Sequence, residues 1–296
     1  MYTRIVVLSL ISVVLSVPAL AQLSPSAAWA AEAEAQYRMS SNVPYVTEGG
    51  QEMLLDIYFR RDVDTPQPTL VFYHGGFWVA GNKENSLPAL LPWLEMGWNV
   101  VNVEYRLGGE ALAPAAVVDS FCALRFVSAQ AEQYNIDTSR IVVSGQSAGG
   151  HLALSMGMIP ESEGFADACP DGETPEVAAV INWFGVTDVP DVIDGENRSN
   201  AAARWFGDMP NPLPLARRLS PLTYVRDDLP PILTIQGDAD NVVPYPEGVA
   251  LHEALAGTNV PNQMLTIPGG GHGGFSADER NLIYATIQEF LEGIGF

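Results

Sequence analysis

Apolar residues occur along this chain in two patterns: short continuous runs, and a repeat with the spacing of a helix. Short runs of consecutive apolar, often β-branched residues are typical of strands that are buried on both faces of a parallel sheet. Such runs predict strands at residues 69–73, 98–106, 137–143, 177–183, 232–236 and 264–267. Between them, apolar residues recur at helical spacing and predict helices at 86–96, 114–134, 247–256 and 276–291.

This alternation of strand and helix predicts an α/β fold, in which a mostly parallel central sheet has helices on both faces. Residues 43–58 differ, because two strand-like segments flank a Gly-Gly turn and predict an antiparallel hairpin. We expect one domain over residues 43–296, preceded by an Ala-rich segment at 22–42 that forms a short helix or remains loose. Residues 185–225 are rich in Pro, Asp and Asn, and they predict a small, irregular, lid-like insertion near the functional site.

The N-terminus, residues 1–21, has the pattern of an export signal. A short basic start is followed by an almost wholly apolar stretch at 5–17 and by an Ala-x-Ala site that ends at Ala21. These features predict a secretory signal peptide, cleaved after Ala21 or, at a second Ala-x-Ala site, after Ala30. An uncleaved membrane anchor would need a longer apolar run. We therefore expect a secreted or periplasmic protein without a stable membrane anchor after cleavage.

Composition narrows the choice of partners. The chain has 35 acidic and 14 basic residues, for a formal net charge of −21. Such a surface repels phosphate polyanions, so we expect no binding to nucleic acid. The two cysteines, Cys122 and Cys169, lack the spacing of metal ligands. An exported protein can form a disulfide, and the sequence leaves both a Cys122–Cys169 pair and two unlinked thiols open.

Candidate chemistry begins at the strand-to-helix junction Gly145-Gln146-Ser147-Ala148-Gly149, which has the Gly-x-Ser-x-Gly pattern of a nucleophile elbow. A serine on so sharp a turn has a strained backbone, and glycines two positions away let strand and helix approach closely. The turn also places Ser147 at a helix N-terminus, where unpaired N–H groups favour negative charge. The motif predicts that Ser147 is a nucleophile, although a pattern this short also arises by chance.

Three other predicted strands end in polar, glycine-rich segments at 74–78, 237–243 and 268–274, and the carboxyl ends of parallel strands share one edge of the sheet. A serine nucleophile needs a base, and His272, which has glycines on both sides, is the candidate. Asp240 would hold the other ring nitrogen of His272, with Asp238 as the competing acid. The chain order Ser, Asp, His is that of α/β-hydrolases.

A tetrahedral intermediate needs N–H donors around its oxyanion. We expect these donors to be the backbone N–H groups of Ala148, Gly76 and Phe77. Three further residues beside these motifs are candidates for contact with the substrate, although aromatic residues after strands are as often part of the core: Trp78, Gln146 and Trp183. We expect His74 to brace the oxyanion loop and His151 to be a hydrogen-bonded core residue.

Several motifs together resemble the α/β-hydrolase-fold serine esterases of the hormone-sensitive-lipase-like and alpha/beta-hydrolase-fold-3 group, most of all the bifunctional feruloyl and acetyl-xylan esterase type. The matching segments are His74-Gly75-Gly76-Phe77-Trp78, Tyr105-Arg106-Leu107, Tyr134-Asn135-Ile136-Asp137, Arg140-Ile141, Gly145 to Leu152, Ser220-Pro221 and Asp240 to Pro244. The resemblance favours Asp240 over Asp238 and implies neither a metal nor an organic cofactor. The chain departs from the group at Phe77, where a glycine is usual, and at Gln146, where an acidic residue is usual.

The resemblance implies a serine carboxylesterase that forms an acyl-enzyme and acts on a small-molecule or saccharide ester. Short-acyl or carbohydrate-linked acetyl and feruloyl esters are the expected substrates. Two alternatives remain. An arylformamidase-like amidase would also carry the His-Gly-Gly-aromatic-Trp motif of residues 74–78, and a hydrolase fold can also serve as a non-catalytic binding protein.

Overall fold

A computed structural model describes residues 23–296, so the predicted signal peptide at 1–21 lies outside the described part of the chain. Its centre is one eight-stranded sheet in the order β1-β2-β4-β3-β5-β6-β7-β8. The strands are β1 Tyr37–Glu48, β2 Gln51–Arg60, β3 Gln67–Tyr73, β4 Asn99–Val103, β5 Ile136–Gln146, β6 Ala179–Trp183, β7 Ile232–Gly237 and β8 Asn262–Ile267.

Strands β1 and β2 form the predicted antiparallel hairpin, and β2 pairs antiparallel with β4. All the other neighbours in the sheet are parallel. Every residue of β4, β6 and β7 is buried, as consecutive apolar runs predict for strands that are covered on both faces. The predicted mostly parallel α/β sheet is therefore confirmed, and the ends of its parallel strands share one edge.

Helices cover both faces of the sheet. They are α1 Pro25–Gln36, α2 Leu87–Glu95, α3 Ala115–Ala129, α4 Ala148–Met158, α5 Val189–Asp194, α6 Asn200–Phe206, α7 Leu213–Arg218, α8 Tyr245–Leu255 and α9 Ala277–Gly293. The buried side chains form two cores: one includes residues of α3, α4 and α8, and the other residues of α2 and α9. No helix among the described residues is sufficiently long and apolar to span a membrane.

The sheet begins earlier than the sequence pattern predicts. Helix α1 starts at the N-cap Ser24, and β1 follows at Tyr37, inside the segment 22–42 that the pattern separates from the domain. Residues 37–42 are mostly polar because they belong to an edge strand with little buried surface, so their hydrophobic pattern is weak. The hydroxyl of Tyr37 donates to the carbonyls of Leu94 and Trp98, at 2.9 and 3.0 Å, and joins the strand to the rest of the domain.

The insertion at 185–225 is helical rather than irregular. It contains α5, α6 and α7 and ends in a 3₁₀ turn at Pro221–Tyr224. Helices α5 and α7 each have a proline in the first turn, which favours a helix start. Helix α6 is capped by Ser199, whose side chain accepts hydrogen bonds from two N–H groups of the helix. Trp205 and Phe206 anchor the insertion, because both are buried in the core below it.

Cys122 of α3 and Cys169, in the acidic loop after α4, form a disulfide. The structure thereby decides between the two states of the cysteines that the sequence leaves open. Within residues 23–296, no group of three or more His, Cys, Asp or Glu side chains is arranged to hold a metal ion.

Candidate active site

Ser147 occupies the sharp turn between β5 and α4. Its backbone has φ 56° and ψ −117°, a strained conformation for a residue with a side chain. The two flanking glycines permit the turn. A Cβ at Gly145 would overlap the backbone of Gly149, and a Cβ at Gly149 would overlap the carbonyl of Tyr73. Close backbone contacts therefore require glycine at both of these positions of the predicted elbow. The elbow places Ser147 at the N-terminus of α4.

Asp240 follows β7, and His272 lies in the loop after β8. The Nδ1–H of His272 donates to Oδ2 of Asp240 at 2.8 Å. Oδ1 of Asp240 accepts from the N–H groups of Val242 and Val243, at 2.8 and 3.0 Å, so both carboxylate oxygens have donors. The buried carboxylate thus fixes the orientation of the imidazole, and it leaves Nε2 as the ring nitrogen that can accept a proton.

The competing acid, Asp238, has a different partner. Its Oδ1 accepts from the N–H of Gly269 at 2.6 Å and so ties the end of β7 to the loop after β8. The structure therefore brings Asp240, and not Asp238, into contact with His272.

Ser147 and His272 line one cavity of about 310 Å³. The cavity also contains several residues that the sequence predicted for the site, namely Gly76, Phe77, Gln146 and Trp183. No direct hydrogen bond joins the side chains of Ser147 and His272 among the described residues. Catalytic hydrogen bonds are often long in a protein without substrate and shorten when substrate binds.

The oxyanion loop after β3 has an unusual backbone. Gly76, Phe77 and Trp78 all have positive φ, at 132°, 55° and 60°. A Cβ at Gly76 would overlap the backbone of Ala80, so this position requires glycine. Within the described chain, the N–H groups of Gly76, Phe77 and Ala148 donate to no protein acceptor, as oxyanion donors require.

His74 holds the start of this loop. Its ring is buried and stacks on Tyr105 with 4.3 Å between the ring centroids. The hydroxyl of Tyr105 donates to the carbonyl of His74 at 2.8 Å. Arg106, the next residue, pairs through two nitrogens with the buried carboxylate of Asp119. These contacts support the expectation that His74 braces the oxyanion loop.

Trp78, a candidate for contact with the substrate, lines a small cavity beside Ser147 and not the cavity that contains His272. It is 1% exposed, stacks on Trp205 at 4.4 Å, and donates through Nε1 to Nδ1 of His151 at 3.1 Å. The positive φ of Trp78 turns the chain so that the ring packs beneath the insertion.

His151 lies one helical turn after Ser147 and is completely buried. It accepts from Trp78 through Nδ1, so Nε2 carries the proton and donates to the carbonyl of Leu219 at 2.7 Å. Burial lowers the pKa of His151 to about 4. The predicted hydrogen-bonded core histidine is therefore confirmed, and it links α4 to the insertion.

The cavity wall also includes residues that no sequence motif predicts. Phe275 and Arg280 follow His272 and line the same cavity, with the guanidinium of Arg280 donating to the carbonyl of Phe275 at 3.1 Å. Arg280 brings a positive charge to the site in a chain of net charge −21. The available signal was the capping residue Ser276, because it places Arg280 in the first turn of α9, close to the loop of His272.

An eight-stranded, mostly parallel sheet that carries a serine elbow and a histidine–aspartate pair along one edge defines an α/β-hydrolase fold. Comparison with known proteins specifies the family. Residues 55–255 match the model of the BD-FAE family, and the chain belongs to that family.

Individual relatives agree with this assignment. The chain is 30% identical to "Esterase LipC" of Mycobacterium tuberculosis over 74% of its own length and 56% of the relative. It spans about half the length of the curated relatives it matches. Among solved structures, it is similar to a truncated carbohydrate esterase from gut microbiota, with a TM-score of 0.72, 29% identity, and coverage of 86% of this chain and 96% of that one. It is also similar to the propionate-bound esterase Est2 of Thermogutta terrifontis, with a TM-score of 0.74, 25% identity, and coverage of 88% and 95%.

Proposed function

We propose that this protein is a serine carboxylesterase that acts through Ser147, His272 and Asp240. One observation carries the proposal: the 2.8 Å contact between His272 and Asp240 lies beside a strained serine in a single cavity. Relatives and structural neighbours that are named esterases support the same reaction.

In the proposed mechanism, Nε2 of His272 takes the proton of the Ser147 hydroxyl while Oγ attacks the ester carbonyl carbon. The carbonyl oxygen becomes an oxyanion, which accepts hydrogen bonds from the N–H groups of Ala148, Gly76 and Phe77. His272 then donates its proton to the alcohol oxygen, the bond between that oxygen and the carbonyl carbon breaks, and an acyl-enzyme remains. Water, deprotonated by His272, attacks the acyl carbon of the acyl-enzyme. The bond between that carbon and Oγ of Ser147 then breaks as His272 returns the proton to Oγ, and the carboxylic acid leaves. Asp240 stabilises the imidazolium in both halves of the reaction.

The expected substrates are short-acyl or carbohydrate-linked esters, and acetyl and feruloyl groups are the two acids that the resemblance in sequence implies. A second cavity of about 510 Å³ shares the wall residues Gly75, Gln146 and Arg280 with the cavity at Ser147. Asn82 and Asn85 line this second cavity. Amide and guanidinium groups can donate hydrogen bonds to the hydroxyl oxygens of a sugar, which supports a saccharide as the alcohol.

Secretion, or release into a periplasm, is also part of the proposal. The signal-like pattern of residues 1–21 and the Cys122–Cys169 disulfide support it, since disulfides persist in oxidising compartments. N-terminal sequencing of the exported protein should find a start at residue 22 or 31. An intact Met1 on protein that remains inside the cell would contradict export.

The decisive test is Ser147→Ala, assayed with a short-chain aryl ester. We expect kcat to fall by about 10⁴-fold or more, because no other hydroxyl lies on the elbow. Ser155→Ala is the matched control: it removes a hydroxyl from the same helix, where it bonds the carbonyl of His151 away from the cavity, and should keep near-full activity. Undiminished activity of Ser147→Ala would refute the proposal. Preferential turnover of N-formylkynurenine would indicate the amidase alternative, and failure of an organophosphonate to label Ser147 would indicate a binding protein.

A further inference from the structure

Ser147 lines two cavities of very different size. One is the 310 Å³ cavity that contains His272. The other also includes Ser147 but not His272, and its volume is only about 10 Å³. Its wall is formed by residues of the oxyanion loop, the elbow, the insertion and the segment after Asp240: Phe77, Trp78, Ala148, Val186, Val192, Ser199, Ala202, Val242 and Val243.

The chemistry of the proposed reaction assigns one substituent to each cavity. The tetrahedral carbon carries Oγ of Ser147, the oxyanion, the leaving alcohol and the acyl chain. His272 must reach the alcohol oxygen to protonate it, so the alcohol belongs in the cavity that contains His272. The oxyanion faces the N–H groups of the loop and the elbow. The acyl chain is then directed to the other cavity that Ser147 lines, which is the small one.

We propose that the small cavity is the acyl pocket, and that it makes this protein selective for acetyl esters over longer acyl and feruloyl esters. The inference rests on the proposed serine-esterase function. A cavity of about 10–15 Å³ has room for one water molecule, and a methyl group is close to a water molecule in size. A benzene-sized ring, in contrast, occupies a cavity on the order of 150 Å³. The methyl of an acetyl group fits, whereas the ring of a feruloyl group does not.

The pocket wall is apolar and firmly packed. Val192 of α5, Ala202 of α6 and Val243 are at most 3% exposed. Helix α6 is held at its start by the Ser199 cap and at its end by Trp205, which stacks on Trp78. Because neighbours on both sides fix these side chains, the wall cannot withdraw for a longer chain without strain. The insertion therefore determines the acyl selectivity of this site.

The test compares 4-nitrophenyl acetate, butyrate, hexanoate and ferulate, which share one alcohol. We expect kcat/KM to fall about a hundredfold from acetate to butyrate, because the longer chain overfills a packed site. Val192→Ala removes two methyl groups from the wall and should reduce the acetate-to-butyrate ratio about tenfold. The matched control is Val189→Ala, a buried position on the same helix that does not line the pocket, and it should leave the ratio unchanged.

The outcomes separate the inference from the function on which it rests. If the butyrate or ferulate ester is hydrolysed as fast as the acetate ester, and this activity depends on Ser147, the small cavity is not a selective acyl pocket. The esterase function would remain intact in that case. Absence of turnover for all four esters would instead refute the esterase function. If Val192→Ala does not fold, the series on the unmodified protein still decides the question.

Discussion

Acid should destabilise this protein through His151, the buried residue one turn below Ser147. Its Nδ1 accepts a hydrogen bond from Trp78, and its Nε2–H donates to the carbonyl of Leu219. Both contacts require the neutral ring, because an imidazolium has a proton on each nitrogen and cannot accept. Protonation would place two donors, Nδ1–H and the indole N–H, against each other in a buried site.

The magnitude follows from proton linkage. Burial lowers the pKa of His151 from 6.5 to about 4 in the folded protein. Below about pH 6.5 the unfolded chain therefore binds more protons than the folded one, and stability falls until the folded state is protonated near pH 4. With about 1.4 kcal/mol for each pH unit, the loss is about 2 kcal/mol at pH 5 and approaches about 3 kcal/mol below pH 4. Above pH 7.5 the ring is neutral in both states and the contribution vanishes.

The assay is urea unfolding of the unmodified protein and of His151→Gln from pH 9 to pH 5, followed by tryptophan fluorescence. Glutamine keeps a donor and an acceptor but does not titrate. The substitution also changes the free energy of unfolding at high pH, but that difference does not enter the comparison. Between pH 8 and pH 5, the free energy of unfolding should fall by about 2 kcal/mol less in the variant than in the unmodified protein. The range from pH 7.5 to pH 9 is the internal control, where the two stability curves should run parallel. Equal losses in both proteins at low pH would refute the reasoning.

Two further predictions concern the disulfide and the acid of the site. Replacing Cys122 and Cys169 together by Ala releases a loop of 47 residues, and the free energy of unfolding should decrease by about 4 kcal/mol in a denaturant titration. The double variant should also be insensitive to reductant; unchanged stability would contradict the entropic argument. Asp240→Asn should lower kcat about 10⁴-fold with little change in KM, because an amide stabilises the wrong tautomer of His272. Asp238→Asn is the control, since the hydrogen bond of that side chain goes to the backbone N–H of Gly269 and not to His272. A similar loss of kcat in both variants would contradict the role assigned to Asp240.

The elements on which the site depends could be predicted from the sequence because their signals are local. Strands β3, β5, β6 and β7 each contain a short, mostly apolar run, and the elbow at Ser147 is confined to five consecutive residues. The order of serine, aspartate and histidine along the chain, together with strand ends that share one edge, then predicted which side chains meet. The contact between Asp240 and His272 agrees with that prediction.

Predictions were weaker where the signal depends on distant partners. The edge strand from Tyr37 was missed because its polar side chains have no buried face, and its pairing with β2 decides its conformation. The insertion was expected to be irregular, yet short helices form there because Trp205 and Phe206 are buried against the body of the domain. Helix propensity over six or seven residues is too small to indicate such elements without tertiary contacts.

The sequence by itself determined the fold class and the residues that could perform acyl transfer, since backbone periodicity and side-chain chemistry belong to the residues themselves. Tertiary structure decided how much space surrounds them. Trp78 faces His151 rather than the larger cavity, Arg280 enters the site from α9, and Val192 and Ala202 narrow the cavity at Ser147 that lacks His272. A cavity is the space between segments that are far apart in the chain, so its volume depends on how they pack, and no local pattern encodes it.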